Sequence, residues 1–378
     1  MKTTKFLIPI FAFAFFLGSC TKDDIVPDKL TPGEKEEEIG EDLDIENFIW
    51  KGMNFWYLYK ENVPQLGDNY FDNQTELNDF LDGFEGPEDL FYNGLMDKTN
   101  DEFSFLVEDY VELEKYFSGV STTTGMNYGL SYIDYETSKD IVGYVRYVNP
   151  NSPASTTSVK RGDMFTKVNG TTLTASNYND LMAGTNFTIH LAEFQNGTIT
   201  ETGETITMSK AEYTENPVFI SKVIETGGKR IGYLMYNSFT SDFDSELNAV
   251  FADFKAQNIT DLILDLRYNG GGDVETAVDL ASMITGQFEG EVLLQKEFNP
   301  TVRRLFQTNW PNDMVSKFNS EIRTGESINS LNLDQIYVIA TGSSASASEL
   351  IINGLASYID VQHIGTATVG KFQASLTL

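Results

Sequence analysis

The stretch 336–371, IYVIATGSSASASELIINGLASYIDVQHIGTATVGK, constrains the fold more than any other part of the chain. Residues 336–340 form a short apolar, β-branched run with the length and composition of a buried parallel strand. Thr341, Gly342 and Ser343 break it, and from Ser346 the spacing turns helical, with Leu350, Ile351, Gly354, Leu355 and Tyr358 on one face. A similar unit lies upstream. Residues 261–267, DLILDLR, read as a buried strand, 268–272, YNGGG, as a turn, and Val274, Ala277, Val278, Ala281 and Ile284 as the apolar face of the next helix. A strand at 230–234 and a helix over 243–254, with Phe243, Leu247, Val250, Phe251 and Phe254 on its apolar side, precede them. Alternating strands and helices imply an α/β layer around a mainly parallel sheet.

Ser346 falls in a strand-to-helix turn, where unpaired first-turn amides and the helix dipole favour an oxyanion beside the hydroxyl. A hydroxyl nucleophile needs a base. The chain has two histidines: His190 lies in the alternating run 186–194 and His363 in a second apolar strand, so both read as strand positions. The remaining candidate is Lys371, preceded by Gly370 and standing 25 residues after Ser346. A lysine kept neutral by burial can act as general base, and Ser-Lys pairs are a known variant of the triad. The competing reading is an N-cap serine on a core helix and a surface lysine. The glycine triplet does not fit a nucleotide loop: the dinucleotide fingerprint from Gly270 would need glycine where Glu275 stands, Asp273 would face a phosphate, and the Walker Lys-Ser/Thr is missing.

These motifs resemble the C-terminal processing peptidases, or tail-specific proteases. Ser-Ala-Ser-Ala-Ser-Glu at 344–349 with Gly370-Lys371 is similar to their catalytic segment, which implies Ser346 as nucleophile and Lys371 as base, with Glu349 helping to orient the pair. Asp265-Leu266-Arg267 with Gly271-Gly272 resembles the second signature of that family. The resemblance implies an oxyanion hole made by the amides of Gly271, with Gly272 as the alternate, and of Ala347; glycine there lets the backbone approach a substrate closely. It implies no metal and no cofactor. Two features depart from the family pattern. Ser375 stands where some members carry glutamine, and the family core normally continues beyond the position of Leu378, so the catalytic domain is expected to be incomplete.

At 378 residues and 41% hydrophobic content the chain is long enough for several cores. A net charge of −30 argues against nucleic acid and anionic membrane surfaces as partners. Lys2 and Lys5 followed by the apolar run 6–17 read as a signal peptide, and Leu17-Gly18-Ser19-Cys20 resembles a bacterial lipobox. Lipidation of Cys20, the single cysteine, would anchor the protein to the outer membrane of the cell envelope. Lys22-Asp23-Asp24 resembles the surface-export signal of Bacteroidota lipoproteins, which leaves the periplasmic face and the cell surface both open. Residues 21–43 are an acidic, apolar-poor tether.

Residues 44–112 read as helical: Ile45, Phe48, Ile49, Gly52 and Trp56 share a face, with Pro64 closing that helix, and two further helices span 75–84 and 87–96. Trp50, Trp56, Tyr57 and Tyr59 read as core rather than as a carbohydrate platform. Asp101-Glu102-Phe103-Ser104-Phe105 is similar to the end of the family's small helical domain. Residues 113–210 are alternating, β-rich text with glycine turns. Tyr128-Gly129-Leu130-Ser131-Tyr132 resembles the carboxylate-binding loop of PDZ domains, and Val145 to Val148, Pro150-Asn151-Ser152-Pro153-Ala154, Arg161-Gly162-Asp163 and Val168-Asn169-Gly170 follow in that module's order.

The resemblance implies an α+β multidomain chain: a helical domain, a PDZ-like domain binding free C-termini through Gly129 and Leu130, and over 211–378 a ClpP/crotonase-like, tricorn-core-like catalytic domain. The implied activity is that of a serine endopeptidase acting on proteins or peptides through their C-terminal tails. The alternative is a peptide-binding surface lipoprotein without catalysis.

Overall fold

The computed structural model describes residues 43–134 and 139–378. The signal-like segment, Cys20 and the tether lie outside the described residues.

The sheet that positions the site has the strand order Asp360–Gly365, Gln335–Ala340, Asp261–Asp265, Lys229–Tyr236, Val218–Thr226. The first four strands run parallel and the last antiparallel, as expected of a mainly parallel layer. Parallel neighbours need a crossover, and the helices Asp244–Ala256, Val274–Thr285 and Ala347–Leu355 lie on those connections. Leu234, Tyr236, Leu262, Leu264, Ile336 and Val338 point from the sheet into one core with Leu247, Phe251, Ala277, Val278 and Ile351. Each large side chain buried there contributes roughly 1.5–3 kcal/mol. Between the second of these helices and Gln335–Ala340 stands an unforeseen insertion, in which the ribbon Val292–Gln295 with Val315–Lys317 brackets the helix Pro300–Asn309.

Residues 44–105 pack helices around Ile49, Met53, Leu66, Leu81, Leu90 and Leu95. The first helix, Asp44–Trp56, differs from the expectation in two ways. Ile49 is buried as expected, but Ile45 and Phe48 are exposed, because the face turned to the core is the one that carries Ile49, Trp50 and Met53. The helix also ends at Trp56, and Pro64 opens a separate short turn, Pro64–Leu66. Trp56 and Phe55 leave this unit to pack on Val302, Phe306 and Met314 of the insertion. The buried Asn299 amide fixes that junction by donating to the carbonyls of Phe55 (2.8 Å) and Tyr57 (3.1 Å).

A boundary at 112 falls inside the helix Tyr110–Phe117. Beyond it a β-rich unit forms a sheet in the order Met126–Tyr132, Ile141–Val148, Met164–Val168, Asn186–Gln195, Thr198–Ser209, with the short Thr171–Thr172 beside Met164–Val168. Val120–Thr123 pairs with Ala211–Thr214, so chain entry and exit lie together. Gly129 and Leu130 do not form a loop. They sit within the outermost strand, opposite Tyr144 and Gly143, and a Cβ on Gly129 would strike the Tyr144 ring at 2.3 Å. The unit touches the mainly parallel layer through Tyr147, whose ring centre lies 4.8 Å from that of Phe219, and through two arginines. Arg146 donates to Ser343 Oγ (3.3 Å) and lies over the Tyr268 ring (5.2 Å), while Arg161 donates to the Arg146 carbonyl and to the Tyr268 hydroxyl (3.2 Å). Between the two bodies is a cavity of about 560 Å³, lined in part by Tyr147, Val159, Arg161, Phe219, Tyr233 and Arg267. No helix among the described residues is long and apolar enough to cross a membrane.

Candidate active site

Asp265 and Ile339 are register partners on adjacent parallel strands, so the glycine turn and the serine turn leave the sheet side by side at its carboxyl edge. Asn269, fully buried, locks them together. Its amide donates to the Tyr236 carbonyl (2.9 Å) and accepts from Gly271 N–H (2.8 Å), while its own carbonyl accepts from Ala345 N–H (3.2 Å) and Ser348 Oγ (2.9 Å). Ser344 Oγ donates to the Leu266 carbonyl (2.7 Å) and Thr341 Oγ1 to the Arg267 carbonyl (2.5 Å), so the serine turn is tied to the neighbouring strand on both sides of Gly342. Arg267 pairs with Asp265 through both carboxylate oxygens, and the Tyr233 hydroxyl also donates to that carboxylate (2.7 Å).

Ser346 is the N-cap of the helix Ala347–Leu355 and holds φ 55, ψ −114. Such a backbone in a residue with a side chain costs about 1–3 kcal/mol and persists where surrounding contacts over-determine it. The half-buried Ser346 side chain stands in the strand-to-helix turn and forms a capping box with Glu349. Gly271, with φ +108, presses against this turn. A Cβ there would meet Ser346 Cβ at 2.8 Å, the Ala345 carbonyl at 2.9 Å and Ala347 N at 3.1 Å. The Gly271 amide is already engaged by Asn269, whereas the amides of Gly272 and Ala347 have no acceptor among the described residues. The geometry therefore favours the alternate glycine, Gly272, over Gly271 as a free donor beside Ala347.

Glu349, buried in the first turn of the helix, joins the two candidate catalytic residues. One carboxylate oxygen accepts from Ser346 N–H (2.8 Å) and Lys371 N–H (2.9 Å), the other from Gly370 N–H (2.6 Å) and Thr368 Oγ1 (2.6 Å). The Lys371 ammonium itself donates to Ser375 Oγ (3.2 Å) and lies 5.2 Å from the centre of the Phe103 ring. Among the described residues no hydrogen bond joins it to Ser346. Burial pushes the Lys371 pKa down from the usual lysine range, with Asp101 pulling the other way.

Ser346, Ala347, Glu349, Gly271, Gly272 and Lys371 thus meet at one place, while Gly129 and Leu130 lie in the separate β-rich sheet. The histidines stay outside: His190 Nε2 accepts from Gly170 N–H (3.1 Å), and His363 is exposed on the outermost strand. Sequence reasoning missed Asn269 and Thr368, although an asparagine directly before the glycine triplet was a visible cue for the first. The described residues hold no cluster of histidine, cysteine or carboxylate side chains suited to a metal.

Residues 230–377 match the model of peptidase family S41, and residues 44–105 match the peptidase S41 N-terminal domain. The chain carries the domains of peptidase family S41. This S41 chain is 24% identical over 262 residues to a chloroplastic C-terminal processing peptidase of Tetradesmus obliquus, an alignment covering 66% of the chain and 52% of the relative. It is 25% identical over 172 residues to a carboxyl-terminal-processing protease of Picosynechococcus, covering 46% and 36%. The match spans about half the length of the first relative and less of the second. In fold it is similar to a putative S41 protease of Bacteroides fragilis, with TM-score 0.65 at 24% identity over 90% of this chain and 81% of the other. It also resembles a photosystem II D1 C-terminal processing protease, with TM-score 0.50 at 18% identity over 88% and 83%.

Proposed function

We propose that the chain is a serine endopeptidase with Ser346 as nucleophile and Lys371 as general base. The observation that carries this reading is the Glu349 carboxylate, which holds the backbone of both residues at once. Neutral Lys371 takes the proton as Ser346 Oγ bonds to the scissile carbonyl carbon, and the amides of Gly272 and Ala347 receive the oxyanion. The C–N bond then breaks, and the ammonium returns its proton to the leaving amine. Water then bonds to the acyl carbon as the same amine takes its proton, the C–Oγ bond breaks, and the ammonium returns the proton to Ser346 Oγ. Transfer requires Lys371 Nζ to swing from Ser375 toward Ser346. Catalytic hydrogen bonds are often loose without substrate, and the lysine side chain has the torsional freedom to close the gap.

The substrates we infer are proteins with free C-termini, added as a further strand to the outer edge of Met126–Tyr132 in a PDZ-like manner. The two curated relatives are named for carboxyl-terminal processing, which supports the same direction. Lipid attachment at Cys20, and with it a place in the outer membrane, belongs to this proposal. Full-length Ser346→Ala protein, which binds without cutting, should hold a peptide acid more tightly than its matched C-terminal amide. A charge-assisted hydrogen bond contributes roughly 1.5–3 kcal/mol, so calorimetry should show a loss of about tenfold or more on amidation. Equal affinity for both forms would mean that the β-rich unit does not read a terminal carboxylate.

A further inference from the structure

The segment carrying Lys371 does not end its contacts at Glu349. It runs on to the N-terminal helical unit, where Gln373 donates to the Tyr59 hydroxyl (2.7 Å) and Leu378 packs on Gly52, 2.8 Å from where its Cβ would stand. The same unit ends at Lys371. Phe103 presents its ring to the ammonium, and two residues earlier Asp101 is 6% exposed. Asp101 Oδ1 accepts from the amides of Phe103 (2.9 Å) and Ser104 (2.9 Å), which fixes the turn that aims the ring. Against the effect of burial, the Ser104 and Phe103 donors, with the Tyr57 phenol beside the same carboxylate, hold its pKa below the usual value. The Asp101 charge acts in turn on the Lys371 ammonium, raising its pKa against the lowering by burial.

We propose that Phe103 and Asp101 are positioning residues for Lys371, so that the N-terminal helical unit completes the catalytic centre rather than merely adjoining it. The ring is the seat against which the aliphatic stem and amine of Lys371 are held, and the carboxylate sets how readily the amine takes and gives up its proton. This rests on Lys371 being the base. The titratable groups around it are Asp101, Glu349 at its backbone amide, and the phenols of Tyr57 and Tyr59. Ser375, a hydroxyl, is the remaining polar partner.

The sign of the effect follows from the charges. Asp101 stabilises the ammonium, so its removal lowers the Lys371 pKa and enlarges the neutral, competent fraction at a given pH. Asp101→Asn keeps the oxygen that accepts from Phe103 and Ser104, and should move the acid limb of the kcat/KM profile to lower pH without lowering the melting temperature. Phe103→Leu keeps apolar bulk but loses the aromatic face. It should lower kcat by roughly tenfold with KM unchanged, and Phe103→Tyr should restore it. An acid limb unmoved in Asp101→Asn together with wild-type kcat in Phe103→Leu would overturn the inference. So would a loss in Phe103→Leu that Phe103→Tyr does not rescue and that tracks a fall in melting temperature. Running Ser346→Ala and Lys371→Ala in the same assay separates the two levels. If those variants still cut, the dyad itself fails, whereas dead dyad variants beside normal Asp101 and Phe103 variants sink the positioning role alone.

Discussion

Ser346→Ala and Lys371→Ala should each reduce hydrolysis of an unfolded protein substrate to background, a loss of about 10⁴-fold or more for a residue acting as nucleophile or base. The first substitution removes the N-cap hydroxyl, at a cost of about 0.5–2 kcal/mol, but leaves the Ser346 amide on Glu349, so the turn should survive with a small fall in melting temperature. The second removes the amine of the residue whose backbone Glu349 ties to the serine turn. Both histidines lie elsewhere and would not substitute. Fluorescence release from a labelled denatured protein, alongside a thermal melt, checks the pair. Full activity in either variant would return Ser346 to the role of an ordinary N-cap.

Glu349→Gln should be nearly as damaging although the residue transfers no proton. Each carboxylate oxygen accepts two donors: Ser346 and Lys371 amides on one, the Gly370 amide and Thr368 hydroxyl on the other. A glutamine offers one oxygen and one NH₂, and the NH₂ must face a pair of donors whichever way it turns. At least two hydrogen bonds to a charged acceptor are lost, and these contribute roughly 1.5–3 kcal/mol each. The segment holding Lys371 is then released from the serine turn. The expected result is a fall in kcat of about 10²-fold or more with a lowered melting temperature. Retained activity would mean that the carboxylate merely caps the helix.

How much of this was readable in the chain depends on the range of the interaction. The parallel layer is legible because 262–264 and 336–340 are continuous apolar runs and are followed by turns and helices of changed period. The position of Ser346 followed from the same change of period. Glu349 was visible as a residue one turn on, but its four donors come from positions 3 to 22 residues away and only the folded turn unites them. Phe103 at Lys371 is a contact between the N-terminal helical unit and the segment after Asp360–Gly365 that no local pattern encodes. The face of the first helix is not decided by spacing, because Ile45 and Phe48 satisfy the helical period as well as Met53 and Trp50 do, and tertiary packing buries the second pair. Gly129 was read as a loop residue, yet its glycine serves a close approach within a strand, where the Tyr144 ring lies over it.

The central claim is that Ser346 is a nucleophile activated by Lys371, and the most direct test is covalent labelling of the full-length protein with a serine-directed phosphonate, with the adduct located by mass spectrometry. The account predicts one adduct per chain, on Ser346, whose rate of formation collapses in Lys371→Ala and in Glu349→Gln. An unlabelled Ser346 in protein that still cuts its substrate, or labelling that proceeds undiminished without Lys371, would contradict it.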